Sequence, residues 1–217
     1  YRALLRWDAT QRRWLDAPAL AQGRLMHTAA RLADGSVLIA GGMADPLLEP
    51  GVAARLTVER WRPDAAGTQA LAPLPSPRLL SAAVPLADGG LLLIGGEDEA
   101  GQPLDTVLRW QPDTGAGRWQ ALAPLKTARS RFGVARLPDG RIVVAGGRGA
   151  AGVLASTEIY DPTADAWTPG PALPQEQLDA TLQPLPDGSL LLAADASAPA
   201  DVAPGTWIWQ LDAGLSR

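Results

Sequence analysis

The sequence of 217 residues contains no cysteine, one histidine (His27), one phenylalanine, two methionines and, among 19 basic residues, a single lysine, Lys126. Without cysteine there is no disulfide, no thiolate ligand and no thiol nucleophile. A lone histidine beside no cysteine argues against a metal centre in this segment, so no metal and no cofactor are expected. No apolar run approaches the roughly 18 residues that a membrane-spanning helix needs, so no membrane insertion is expected. Net charge is −4 and no cluster of Lys and Arg stands out, which speaks against nucleic acid or an anionic membrane as a partner. Each Gly-Gly lacks the following Gly and Lys of a phosphate loop, and no Ser-His-Asp or Cys-His set can be assembled, so no catalytic residue is assigned. The missing cysteine leaves the compartment open, with an exported location slightly ahead of a cytoplasmic one. Arginine in place of lysine, with abundant alanine, points to a GC-rich bacterial coding genome.

What the sequence does contain is a ruler, used four times. Arg24, Arg78, Arg129 and Gln177 are each followed 10 residues later by Asp-Gly, at Asp34-Gly35, Asp88-Gly89, Asp139-Gly140 and Asp187-Gly188. Seventeen residues after each stand Gly41-Gly42, Gly95-Gly96, Gly146-Gly147 and the eroded Ala194-Asp195. Ten residues before each stand Trp14, Thr68, Trp119 and Trp167, and four before stand Leu20, Leu74, Leu125 and Leu173. The Asp-Gly turns are 54, 51 and 48 residues apart. A drifting period with locked inner spacings means one supersecondary unit, repeated, whose length varies only in a loop.

The third copy shows what the unit is. Residues 131–137 form a mostly apolar strand candidate, and Pro138-Asp139-Gly140 is a hairpin signal in which Asp-Gly supplies positive φ. The run Arg-Ile-Val-Val-Ala then ends in Gly146-Gly147; its counterparts at 37–40, 91–94 and 190–193 are equally apolar, as strands buried on both faces are. A third strand at 156–160 closes in Asp161-Pro162, and Trp167 sits on a short fourth strand. Four antiparallel strands in about 50 residues make one propeller blade, so the expected fold is all-β. The tryptophans Trp14, Trp119 and Trp167 read as core between blades; a stacking platform for bases or sugars is the other reading.

This pattern resembles the Kelch repeat family. The third copy carries it almost complete, as Arg129, Gly140, Gly146-Gly147, Glu158-Ile159-Tyr160-Asp161-Pro162 and Trp167. The resemblance covers nearly the whole chain and departs from the family at Thr68, Gln177 and Ala194-Asp195. It implies a β-propeller with strand 1 at a central channel. On this reading residues 1–16 supply the last two strands of one blade. Residues 24–72, 78–122 and 129–168 are complete blades, and 177–211 supply three strands of another. The whole is then an incomplete arc of four to five blades belonging to a longer chain, the remaining blades lying outside it; a small closed ring is the alternative.

The variable stretch follows the Gly-Gly and reaches its greatest length at 43–53. Two residues after each Arg position stand Met26, Leu80, Arg131 and Asp179; just after the Gly-Gly stand Met43, Glu97, Arg148 and Ala196. Glu97, Arg131, Arg148 and Asp179 are therefore the candidate ligand-binding residues, with solvated loop-end charges as the plainer reading. Arg24, Arg78 and Arg129, with Glu59 and Glu158, read as structural braces, and His27 as a packing residue. The leading functional reading is a non-catalytic binding module for a protein, peptide or glycan. The resemblance also admits a carbohydrate-active enzyme of the sialic-acid mutarotase or galactose-oxidase type, though the copper centre of the latter requires the cysteine this chain lacks. A structural spacer is the third possibility.

Overall fold

The structure, a computed structural model, describes residues 2–47, 54–193, 206–210 and 214–216. Among these residues every regular element is a strand. The opening sheet has two strands, β1 (Leu4–Asp8) and β2 (Arg13–Ala17). The next has four, β3 (Thr28–Arg31), β4 (Val37–Ala40), β5 (Val58–Trp61) and β6 (Gln69–Leu71), in that spatial order. A second four-stranded sheet holds β7 (Ala82–Pro85), β8 (Leu91–Ile94), β9 (Val107–Gln111) and β10 (Arg118–Leu122). The third blade starts with β11 (Gly133–Arg136) and β12 (Ile142–Ala145). A two-residue ribbon, β13 (Arg148–Gly149) with β14 (Gly152–Val153), then interrupts it. It ends in β15 (Thr157–Asp161) and β16 (Ala166–Pro169), in the sheet order β11-β12-β15-β16. The last sheet is β17 (Thr181–Pro184), β18 (Leu190–Ala193), β19 (Thr206–Gln210) and β20 (Gly214–Ser216).

Two compact units emerge from the packing, one of residues 1–92 with 109–120 and one of 93–108 with 121–217. In the second, Ala135, Leu137, Val143 and Ala145 of one blade and Ala180, Leu182, Leu190 and Leu192 of the next form a continuous apolar core. The second strand of every blade supplies most of the fully buried residues, as its unbroken apolar run requires: Ile142, Val143, Val144 and Ala145 are all 0% exposed.

Three features depart from the sequence expectation. The last copy gains a fourth strand: β20 pairs antiparallel with β19, placing Ile208 opposite Ser216.

The Asp-Gly hairpins are the second departure. Each is a three-residue loop in which the glycine alone is left-handed, as at Gly35 (φ 82°) and Gly140 (φ 93°). Gly35 N–H donates to Leu32 O at 3.0 Å, a turn followed by a left-handed residue. The aspartate acts as an acceptor: Asp34 Oδ1 takes the N–H of Ser36 at 3.1 Å and its hydroxyl at 2.6 Å.

The third departure is Trp14, which is 63% exposed rather than buried, because its sheet has only two strands. Trp167 is buried as expected at 3%, its indole N–H donating to Ala123 O at 3.0 Å. Trp119 is half-buried, with the equivalent bond to Ala72 O at 2.9 Å. Ala194-Asp195 and residues 48–53 of the long loop lie outside the described residues.

Candidate functional site

The recurring arginine organises the end of the blade where the site lies. Arg129 Nη1 donates to Gly146 O (2.8 Å) and Ser156 O (3.0 Å), and Nη2 to Ser156 Oγ (3.1 Å) and Glu158 Oε1 (2.8 Å). Arg24 repeats the set on Gly41 O, Thr57 O, Thr57 Oγ1 and Glu59 Oε1. The same residue also works through its backbone: Gly96 N–H donates to Arg129 O at 2.9 Å, and Gly42 N–H to Arg78 O at 3.0 Å. Arg129 thus ties down its own Gly-Gly with its side chain and receives the preceding copy's Gly-Gly on its carbonyl; Arg24 shows the first of these contacts and Arg78 the second. A Cβ at Gly41 would stand 2.5 Å from Arg78 O, and one at Gly147 2.5 Å from Ser130 O, so the close approach excludes any side chain. Gln177 keeps only the backbone half, accepting Gly147 N–H at 2.7 Å.

Two residues past the arginine the chain bends through the left-handed region in every copy: φ is 53° at Met26, 52° at Leu80, 54° at Arg131 and 50° at Asp179. For non-glycine residues this conformation is strained, and it persists only where surrounding bonds fix it. Here the fixing bonds run from copy to copy: Leu80 N–H to Met26 O at 3.0 Å in the first unit, Asp179 N–H to Arg131 O at 2.9 Å in the second. The stretch after the Gly-Gly folds back over the same bend. Leu25 bridges Met43, and Ser130 bridges Arg148 through paired backbone bonds of 3.0 and 2.8 Å.

All four candidate residues lie in the second unit and come together as two ion pairs. Arg131 grips Asp179 with two parallel bonds, Nε to Oδ1 at 3.1 Å and Nη2 to Oδ2. Arg148 Nη1 reaches Glu97 Oε1 at 3.1 Å, and the same oxygen accepts the buried Ser130 hydroxyl at 2.6 Å. Because Ser130 and Arg131 are consecutive, the pairs are neighbours. The side chains of Arg131 (40%), Asp179 (37%) and Arg148 (46%) are open to solvent, whereas Glu97 (12%) is largely covered. The charges cancel pairwise, and the guanidinium groups are held in fixed orientations with solvent on one side.

Ser130 is the member that the sequence reading missed. Its signal was available: the position after the arginine is Leu25, Leu79 and Leu178 in the other copies, and only the third copy carries a hydroxyl there. The opposite end of the blade holds another overlooked pattern, in which strand-3 arginines pair with hairpin aspartates, Arg60 with Asp34 and Arg109 with Asp88. Among the described residues no three His, Asp, Glu or Cys side chains converge as a metal site would require.

The Kelch motif model matches residues 128–174, the third blade with its clamp, bend and ribbon. The third blade is a Kelch repeat, and the fold is that of a Kelch-type β-propeller. Kelch-like protein 33 of Homo sapiens is 39% identical over 104 residues, covering 46% of this chain and 19% of its own length. This Kelch chain spans about a fifth of the curated relatives it matches. Among solved structures, one titled "Structure of YjhT" superposes with a TM-score of 0.79 over 99% of this chain and 74% of that one, at 13% identity. A fungal alcohol oxidase in complex with copper superposes with a TM-score of 0.63 at 13% identity, over 92% of this chain and 55% of that one. At those identities the likeness concerns the Kelch fold alone.

Proposed function

We propose that this chain is a non-catalytic binding module whose contact surface is the blade end carrying the strand 2–3 loops and the bends before strand 1. The observation that supports this reading is the pair of partly exposed, pre-oriented ion pairs: Arg131–Asp179 on left-handed bends that a backbone bond joins, and Arg148–Glu97 beside them on the stretches that follow the Gly-Gly. A rigid scaffold with variation confined to the loops at one end is the arrangement on which recognition is usually built. Exposed guanidinium forks suit a partner offering carboxylates, backbone carbonyls or hydroxyls, and so a protein, a peptide or a glycan.

The test is a screen of the intact protein against a glycan array and a displayed peptide library, repeated with Arg131→Gln/Arg148→Gln and with Arg109→Gln at the opposite end. Exposed ion pairs contribute only about 0–1 kcal/mol, so the double variant should melt within a few degrees of the parent. Ligands lost by the double variant and kept by Arg109→Gln support the reading. Ligands that survive the double variant move the site elsewhere.

A further inference from the structure

The hairpin turns of the first two four-stranded sheets flank a cleft of about 360 Å³, within the span of about 300–1,000 Å³ usual for small-ligand sites. One wall is the turn at Asp34 with Arg60 of β5; the other is the turn at Asp88 with Pro112, just past β9. Neither wall uses a residue of the ion pairs in the contact surface proposed above.

Charge in the cleft is unbalanced. Asp34 and Asp88 both line it, whereas Arg60 is the one guanidinium that does; Arg109, the ion-pair partner of Asp88, is not part of the lining. The carboxylates are also the open groups, with 46% and 51% of their side chains exposed against 14% for Arg60. Arg60 is turned into its own hairpin, Nε donating to Ser36 Oγ at 2.8 Å and Nη2 to Asp34 Oδ2. The Ser36 hydroxyl first, then its N–H and Arg60, hold the Asp34 carboxyl below its ordinary value, so it stays ionised. Asp88 accepts Gly90 N–H at 3.0 Å on Oδ1 and Arg109 Nη2 on Oδ2. Both carboxylates are thus fixed by their own turns and keep acceptor capacity for a ligand. Ala33, Ala87, Gly89 and Pro112 bring neither charge nor a long side chain, so the walls beside the carboxylates suit methylene groups.

We propose that this cleft binds an alkylguanidinium or alkylammonium group, with its stem along the small apolar walls and its charged head at Asp34 and Asp88. An anion would meet two open carboxylates there. An uncharged ligand of the same shape would forgo the charge-assisted bonds. Because the carboxylates are already oriented, little side-chain freedom is lost on binding.

The probe is n-butylguanidinium, titrated into the intact protein and followed by NMR at the backbone amides of residues 33–36 and 87–90. Saturable shifts are expected there, with n-butylurea, its uncharged counterpart, giving none. Asp34→Asn/Asp88→Asn should weaken binding at least tenfold; an Asn carbonyl still accepts the turn N–H, so the fold should persist. Ala87→Phe fills the cleft from an exposed position, keeps both charges and should weaken binding as much. Arg131→Gln/Arg148→Gln should bind as the parent does, which separates this site from the surface proposed above. Tighter binding of acetyl-Gly-Arg-Gly-amide than of butylguanidinium assigns the cation to a partner chain, and the reverse to a small solute; both support the proposal. Absence of saturable shifts overturns it, as does equal binding of n-butylurea. So does undiminished binding in Ala87→Phe or in a folded Asp34→Asn/Asp88→Asn, or its loss in Arg131→Gln/Arg148→Gln.

Discussion

Arg129 reaches the carboxylate of Glu158 at 2.8 Å with only 0% and 3% of the two side chains exposed, a nearly dry ion pair inside a blade. Arg24 and Glu59 repeat it at 2.6 Å. Burial lowers the pKa of both arginines, and the bonded glutamates act against that, keeping the guanidinium charged. In the second copy Leu108 stands at the glutamate position, and burial takes Arg78 down to about 10.

Removing one member of such a pair strands the other. Arg129→Met deletes the bonds to Gly146, Ser156 and Glu158, and should cost about 3–5 kcal/mol in urea denaturation. Glu158 also accepts the N–H groups of Lys126 and Thr127, so Glu158→Leu is costly too. The double variant should lose at least about 1 kcal/mol less than the two singles added together. Strict additivity would show that the pair is not energetically coupled.

Two glycines of similar φ separate steric exclusion from backbone strain. At Gly147 (φ 96°) a Cβ would meet Ser130 O at 2.5 Å and the Phe132 Cβ at 2.7 Å; at Gly188 (φ 84°) it would meet nothing within 4 Å. Gly188→Ala should cost about 1 kcal/mol, the strain alone, and Gly147→Ala clearly more. Equal melting temperatures for the two variants would contradict the close approach.

The tryptophans should divide by burial. Trp167→Ala, at a site 3% exposed, should cost about 3–5 kcal/mol, while Trp14→Ala, at one 63% exposed, should cost under about 1 kcal/mol. Chemical denaturation followed by circular dichroism, which does not depend on the deleted fluorophore, provides the comparison. A large loss at Trp14 would mean that its sheet is covered in solution.

The single histidine gives a clean pH window. Burial first, then Arg24, lowers the His27 pKa from its ordinary 6.5. As pH falls through about 6.5 the unfolded chain takes up a proton that the folded one still refuses, so stability is present above that pH and declines below it until the folded-state pKa is reached. Melting temperatures at about pH 7.5 and pH 5.5 should therefore differ, and His27→Gln should shrink the difference. An unchanged difference in that variant would assign the effect to other groups.

Much of this was written in the local spacings. Hydrogen-bonded neighbours within a blade are close in sequence, so an arginine, a hairpin glycine and a Gly-Gly at fixed offsets fix one clamp and one pair of strands wherever they recur. The four buried second strands and the structural role of Glu158 were legible for the same reason. The left-handed bend was not: Met26, Leu80, Arg131 and Asp179 share no chemistry, and the backbone bonds that hold them come from the neighbouring copy. Nor was the pairing of Arg148 with Glu97 and of Arg131 with Asp179 written in any one repeat, since the partners are 51 and 48 residues apart. The sequence by itself determined the unit and its clamp, because those rest on short-range backbone geometry. Only the tertiary structure decided which charges meet and which aromatics stay exposed, because both depend on what stands beside each blade.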